Sequence, residues 1–149
     1  MLRLTKRSEY GLMALAYLGS RAAEFCSVRE MAEDMAVPAR LLAEVLKDLA
    51  RAELINSQRG PNGGYQFAKD PTHFTIFDIV EILEGEVQFT NCAPGLTCTR
   101  ESSCTIHGAI SKVAEQVKGV LDGFTLAHLT PGHPDHMMSA ATAAKSLQV

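Results

Sequence analysis

Residues 27–67 read SVREMAEDMAVPARLLAEVLKDLARAELINSQRGPNGGYQF, and this stretch decides the fold. Ser27 and Glu30 have the spacing of a helix capping box, so a short helix is predicted to follow. Pro38 is well placed to open a second helix over about residues 39–52. The apolar and the polar or basic positions of this helix fall on opposite sides: Leu42, Val45, Leu46 and Leu49 against Arg40, Glu44, Lys47 and Arg51. Two helices joined by a tight turn, the second with a basic outer face, predict a helix-turn-helix.

A β-hairpin is predicted directly after the second helix. Leu54–Ser57 and Tyr65–Phe67 have the pattern of short strands, and the turn between them is rich in glycine. Gly63 and Gly64 are expected to supply the positive φ values of a tight hairpin. A hairpin after a recognition helix is a wing, and Arg59 at its tip is positioned to reach a DNA phosphate or minor groove. A phosphate-cradling nucleotide loop is less favoured, because no Gly-Lys-Ser/Thr follows the glycines.

Further helices are predicted on both sides of this unit. The first runs from about Thr5 to Arg21, and its expected buried stripe consists of Tyr10, Met13, Ala14, Tyr17 and Leu18. Three basic residues crowd its beginning, where the helix dipole does not favour them, so they are candidate phosphate anchors or plain solvated side chains: Arg3, Lys6 and Arg7. Another helix is predicted to begin at the Thr75–Asp78 cap and to end at Gly85.

The C-terminal part carries apolar residues at alternating steps of four and three: Ile106, Ile110, Val113, Val117, Val120 and Phe124. This spacing is typical of a coiled-coil seam and favours a homodimer, although an amphipathic helix packed within its own domain is the alternative. The predicted fold is mainly α with a small β-hairpin wing: a winged helix-turn-helix domain (1–85), a loop (86–105), a long dimerisation helix (106–130) and a disordered tail (131–149).

Composition limits the function classes. The chain has 149 residues, 46% hydrophobic and 21% charged, as ordinary globular proteins do. Its net charge is −3, but residues 1–70 carry +1 and residues 71–149 carry −4, so DNA binding requires local basic clusters. No apolar run is long enough to span a membrane, and residues 1–9 lack the apolar segment of a signal peptide, so a cytoplasmic location is expected. The sequence shows no arrangement of a nucleophile and a base that would indicate an enzyme, so a function other than catalysis is expected.

Three of the four cysteines form a cluster. Cys92, Cys98 and Cys104 are separated by five residues each, and His107 follows Cys104 after two residues. Disulfides are disfavoured in the cytoplasm, so the cluster indicates a metal site. A structural zinc site and an iron–sulfur cluster suit these ligands equally well, and unligated thiols are the least favoured interpretation. Cys26 stands alone and is expected to be a small buried hydrophobic residue.

The segments Arg3–Thr5, the helix-turn-helix, the wing Arg59–Tyr65, the helix from Thr75 and the cysteine cluster together resemble the IscR/NsrR family of bacterial regulators, in order and over most of the chain. The resemblance implies a homodimer that binds a roughly palindromic DNA operator and carries an iron–sulfur cluster. The IscR branch implies a 2Fe–2S cluster held by Cys92, Cys98, Cys104 and His107, with a 4Fe–4S cluster as the alternative. The NsrR branch implies a carboxylate ligand from the first helix, a position that Glu9 occupies.

The function that this resemblance implies is cluster-dependent regulation of iron–sulfur assembly or stress genes, with nitric oxide or redox sensing as the alternative within the family. The alternatives from other classes are a zinc-stapled interaction module and a small electron-transfer protein. Two positions depart from the family pattern. Ala43 stands where IscR-type proteins carry a glutamate on the recognition helix, and Glu53 stands where a glycine is expected at the end of that helix.

Overall fold

The computed structural model describes residues 3–21, 23–87, 89–90, 98–100 and 103–137. The described residues are mainly helical, with one antiparallel hairpin directly after the third helix, so the predicted fold class is confirmed. The regular elements are α1 (Lys6–Gly19), α2 (Val28–Asp34), α3 (Ala39–Arg51), β1 (Ile55–Gln58), β2 (Gly64–Phe67), α4 (Ile76–Glu84) and α5 (His107–Asp122). Short 3-10 helices cover Pro71–His73 and Leu126–Leu129.

The hydrophobic core lies where α1 meets α3, α4 and the second 3-10 helix. The four apolar residues predicted to face inward from α3 are all fully buried: Leu42, Val45, Leu46 and Leu49. The predicted α4 boundaries are also confirmed. Thr75 and Asp78 form a reciprocal capping box, and Gly85 closes the helix with a φ of +85°.

The predicted buried stripe of α1 is only partly correct. Ala14 and Leu18 are buried as expected, but Met13 is exposed, and the remaining buried positions are Ser8, Gly11, Leu12 and Leu15. The physical reason is the close approach of α4, since a Cβ on Gly11 would lie 2.2 Å from Leu83 Cδ1. Small residues on this face of α1 allow α4 to pack closely against it. Met13, a large side chain of the predicted stripe, therefore lies at the surface.

The wing is present, but its glycines act differently from the prediction. β1 and β2 pair from Ile55 opposite Phe67 to Gln58 opposite Gly64. The left-handed turn residue is Gly60, with a φ of +115°, rather than Gly63. Gly63 is required by space instead, because a Cβ there would lie 2.3 Å from the backbone oxygen of Gln58.

Helix α5 carries no fully buried residue. Ile110, Val117 and Leu121 are partly buried on the side that packs against α4, whereas Ile106, Val113 and Val120 remain 60%, 53% and 60% exposed. Packing within the domain therefore uses one side of α5 and leaves most of the predicted seam uncovered in the single chain.

The predicted dimerisation helix is shorter than residues 106–130. It ends at Asp122, and the chain then returns to the core, where Leu126 and Ala127 are fully buried. Residues 131–137, predicted as part of a disordered tail, form turns, and Met137 N–H donates to His128 O at 2.9 Å. Residues 138–149 of that tail lie outside the described residues. Within the described ranges, no helix has the length and apolar character needed to cross a membrane.

The backbone at the C-terminal end of α3 has an unfavourable conformation. Leu54 N–H donates to Leu49 O (3.1 Å) and Glu53 N–H donates to Ala50 O (3.0 Å), which is the Schellman motif. The motif places Glu53 in the left-handed region, with a φ of +59°. An L-residue there costs about 1–2 kcal/mol, which explains why a glycine is expected at this position. Ala36 plays the same part at the end of α2, with a φ of +54°.

We therefore expect Glu53→Gly to raise the free energy of unfolding by about 0.5–1 kcal/mol. Relief of the left-handed backbone outweighs the extra freedom that glycine gives the unfolded chain. The matched control is Ala52→Gly, one residue earlier with a φ of −80°, which should instead lower stability by a similar amount. Urea unfolding at fixed protein concentration measures both variants. Equal destabilisation by the two glycines would contradict the prediction.

Candidate nucleic-acid interface and metal-ligand segment

A groove of about 480 Å³ lies between α3 and the wing. In the part of the chain that the structure describes, the charged residues lining this groove are all cationic: Lys47, Arg51 and Arg59. α3 supplies the first two from the face opposite its buried leucines, and the third directly follows the last residue of β1. The structure thus brings together three of the predicted DNA-binding residues, and a polyanion suits the groove electrostatically.

The same face of α3 continues toward its N-terminus. Arg40 is almost fully exposed, and its Nε lies 3.9 Å from Glu44 Oε1, one helical turn away. An ion pair between exposed side chains at this separation is weak, so both side chains are free to exchange partners with a ligand. Arg40 and Glu44 therefore extend the polar surface of the groove along the recognition helix.

The wing is fixed to the chain just before α2. Cys26 and Tyr65 exchange two backbone hydrogen bonds of 2.9 Å, and a Cβ on Gly64 would lie 2.2 Å from Cys26 O. Cys26 is fully buried, as predicted, and burial raises the pKa of its thiol. Its backbone role was missed, because the contact joins residues that are about forty positions apart. These contacts join β2 of the wing to the residues that lead into α2.

The three basic residues predicted as phosphate anchors at the start of α1 lie in three different settings. Lys6 is exposed and pairs with Glu9, with Nζ 2.7 Å from Oε2. Arg3 lines a separate cavity of about 440 Å³ between α1, α4 and α5. Arg7 is engaged inside the protein, because it pairs with Asp48 of α3 and donates from Nε to Leu83 O at 2.8 Å. The structure therefore gives Arg7 intramolecular partners in place of the predicted phosphate.

The end of α4 is tied to the start of α1. Glu84 accepts hydrogen bonds from the hydroxyls of Thr5 and Ser8, the latter at 2.7 Å. Partial burial opposes ionisation of Glu84, but these two hydrogen bonds and the charge of Arg7 together lower its pKa. Sequence reasoning missed this contact, because its partners are far apart along the chain.

The predicted metal ligands are described in part. Cys98 and Cys104 are free, partly exposed thiols, and His107 is the first residue of α5. Cys92 lies outside the described residues. Among those that are described, no group of three His, Cys, Asp or Glu side chains forms a metal site. The donor chemistry nevertheless suits a soft metal centre, since thiols and an imidazole bind such metals, and Cys104 and His107 lie at the start of α5, where the helix dipole favours an anionic group.

Known proteins share this sequence pattern and fold. The family described as Rrf2, iron-dependent transcriptional regulator, matches residues 4–132. A protein of Aquifex aeolicus described as an HTH-type transcriptional regulator is 28% identical over 131 residues, covering 86% of this chain and 91% of the relative.

Two solved structures are similar over nearly the whole fold. CymR (YrzC), described as the global cysteine regulator of B. subtilis, has a TM-score of 0.71 and 26% identity, covering 87% of this chain and 96% of that chain. T. potens IscR has a TM-score of 0.66 and 26% identity, covering 95% of this chain and 96% of that chain. The predicted resemblance is confirmed, and the relatives are regulators rather than enzymes. Since the family match spans most of its length, the chain belongs to the Rrf2 family of DNA-binding transcriptional regulators.

Proposed function

We propose that this protein is an iron–sulfur-dependent transcription regulator that binds a roughly palindromic operator as a homodimer and controls iron–sulfur assembly or stress genes. The observation that carries the DNA-binding part is the convergence of Lys47, Arg51 and Arg59 on the groove between α3 and the wing. The family description as iron-dependent regulators and the similarity to T. potens IscR support the metal-dependent part. A cytoplasmic location follows from this function.

The DNA contacts are assigned from the groove outward. Arg40, Lys47 and Arg59 are proposed to reach bases or the minor groove, and Arg51 is proposed to hold a phosphate. Glu44 accepts from a cytosine amino group or disfavours other bases. Arg3 and Lys6 stay as proposed phosphate anchors outside the groove.

The proposed cluster ligands are Cys92, Cys98, Cys104 and His107, which suit a 2Fe–2S centre; 4Fe–4S is the alternative and zinc is less favoured. When bound, such a centre supplies a group whose presence and redox state depend on iron supply and oxidants. Glu9 is the alternative fourth ligand. We favour His107, because it opens α5 three residues after Cys104.

The proposed homodimer uses α5. Ile106, Val113 and Val120 repeat at heptad intervals and stay exposed after α5 has packed against α4. Exposed β-branched residues at a heptad spacing are the usual contact positions of paired helices. A second copy of the chain, related by a twofold axis, also matches the symmetry of a palindromic operator.

Anaerobic purification followed by absorbance, iron and acid-labile sulfide analysis tests the metal-dependent part. We expect a coloured protein with about two iron and two sulfide per chain. A colourless protein with stoichiometric zinc would contradict the iron–sulfur proposal and would indicate a regulator with a structural zinc site. A metal-free protein that binds DNA tightly would favour a signal of the kind named for CymR, the B. subtilis cysteine regulator.

A further inference from the structure

Arg7 lies where three helices meet. It belongs to α1, pairs through Nη2 with Asp48 of α3, and donates from Nε to Leu83 O in the last turn of α4. A guanidinium is a planar fork of donors and makes both contacts at once, which an ammonium cannot do with the same geometry. The side chains of Arg7 and Asp48 are only 31% and 25% exposed, so water screens their pairing less than at an open surface. We call these three residues the Arg7 bridge.

Asp48, at one end of the Arg7 bridge, also contacts a residue that lines the groove. The second oxygen of the Asp48 carboxylate, Oδ1, lies 3.0 Å from Nη1 of Arg51, which lines the groove. Each carboxylate oxygen therefore has one arginine partner. Without Arg7, the negative charge of Asp48 would act more strongly on Arg51 and would draw it back from the groove.

The other end of the bridge is fixed to α4. Leu83 O is one of the last carbonyl groups of that helix, where a cation is favoured by the helix dipole. The next residue, Glu84, accepts hydrogen bonds from Thr5 and Ser8 at the start of α1. Side-chain hydrogen bonds thus join the end of α4 to the start of α1, and Arg7 links both of them to α3.

We propose that Arg7 is a positioning residue for DNA recognition: through Asp48 it fixes the recognition helix and keeps Arg51 available to the groove, without touching DNA itself. This inference deepens the proposed function and rests on its assignment of the groove as the DNA-binding surface. It replaces the phosphate-anchor role that the sequence predicts for Arg7.

Arg7→Lys separates these two roles. Lysine keeps the positive charge, so a phosphate anchor would survive the change, but it cannot make both contacts of the bridge. We expect Arg7→Lys and Arg7→Met each to weaken binding about ten-fold to a duplex selected from a random-sequence pool by the wild-type protein. The full-length protein is used, and its unfolding midpoint and oligomeric state are measured beside its affinity.

Asp48→Asn supplies the second arm of the experiment. If Arg7 acts through Asp48, Arg7→Met should change affinity less than about two-fold in the Asp48→Asn background, whereas independent contacts would add. In that background Arg7→Met should also leave the salt dependence unchanged. Arg51→Ala, which removes the proposed phosphate contact of the groove, should reduce the slope of log K against log salt by about 0.9 for each protomer that contacts the DNA.

The outcomes distinguish the two proposals. Wild-type affinity in Arg7→Lys beside weakened binding in Lys47→Ala overturns the positioning role alone. Additive effects with a reduced salt slope in Arg7→Met do the same, because they identify Arg7 as a phosphate contact. Unchanged affinity in Lys47→Ala and in Arg59→Ala overturns the groove assignment, and the positioning role with it.

Discussion

Replacing Cys104 with serine is expected to abolish the proposed iron–sulfur centre, taking iron and sulfide from about two each per chain to under about a tenth of that content. The hydroxyl of serine is a hard donor that stays protonated at neutral pH, whereas cluster iron requires a soft thiolate. Cys104 lies just before α5, near the positive end of that helix, which favours a bound anionic group. Cys98→Ser should have the same effect, since Cys98 is likewise a free, partly exposed thiol.

Cys26→Ala is the matched control for these variants. Cys26 is also a free cysteine, but it is fully buried in the core beside the wing, so its loss should leave the metal content unchanged. His107→Ala and Glu9→Gln then identify the fourth ligand. We expect the first to lower cluster content or shift the absorbance bands, and the second to do neither. Full iron content in Cys104→Ser, or its loss in Cys26→Ala, would contradict the assignment.

DNA binding should respond to the loss of the centre. Coupling between a ligand and a distant site typically changes affinity by about 5–150-fold, so Cys104→Ser should shift affinity for a selected operator by about ten-fold or more. A shift toward either tighter or weaker binding would support the coupling. Affinity that is equal for wild type and Cys104→Ser on every selected operator would refute cluster-dependent regulation.

The sequence predicts those features that depend on local periodicity. The buried leucines of α3, the Thr75–Asp78 cap, the stop at Gly85 and the hairpin are all readable from residues a few positions apart. The unfavourable backbone conformation of Glu53 can also be predicted from the sequence, because a glycine is expected at that position. These features follow from helix and turn geometry alone, so the helix-turn-helix and the wing need no tertiary information.

The features that the sequence could not predict are contacts between distant residues. A basic residue at the start of a helix has the same pattern whether it meets a phosphate or an internal carboxylate, and Arg7 finds its partners 41 and 76 residues away. The requirement for glycine at position 64 likewise depends on Cys26, which packs against it. Which face of α1 is buried depends on how closely α4 approaches Gly11. The spacing of apolar residues along α1 does not reveal that tertiary contact.

Placing a glutamate on the exposed seam of α5 is expected to dissociate the proposed dimer and to lower operator affinity by about a hundred-fold or more. Val113 and Val120 expose over half of their surface in the single chain, and covering each valine in a dimer contributes about 1.5 kcal/mol per side chain. A charge at either position must instead be desolvated, which costs more than the valine gains. A monomer can still bind one half-site of the operator. Its binding there no longer raises the effective concentration of a second DNA-binding domain at the other half-site.

The matched control for Val113→Glu and Val120→Glu is Gly119→Glu. It adds the same charge next to Val120, but about 100° around the helix and away from the seam, where an added Cβ meets nothing within 4 Å. Sedimentation should find the two valine variants monomeric and Gly119→Glu dimeric. The thermal unfolding midpoint at high protein concentration shows whether each chain still folds. Because the seam is exposed in the single chain, folded valine variants that remain dimeric with full operator affinity would show that α5 does not form the interface, whereas folded monomers with weak binding identify its apolar stripe as the contact.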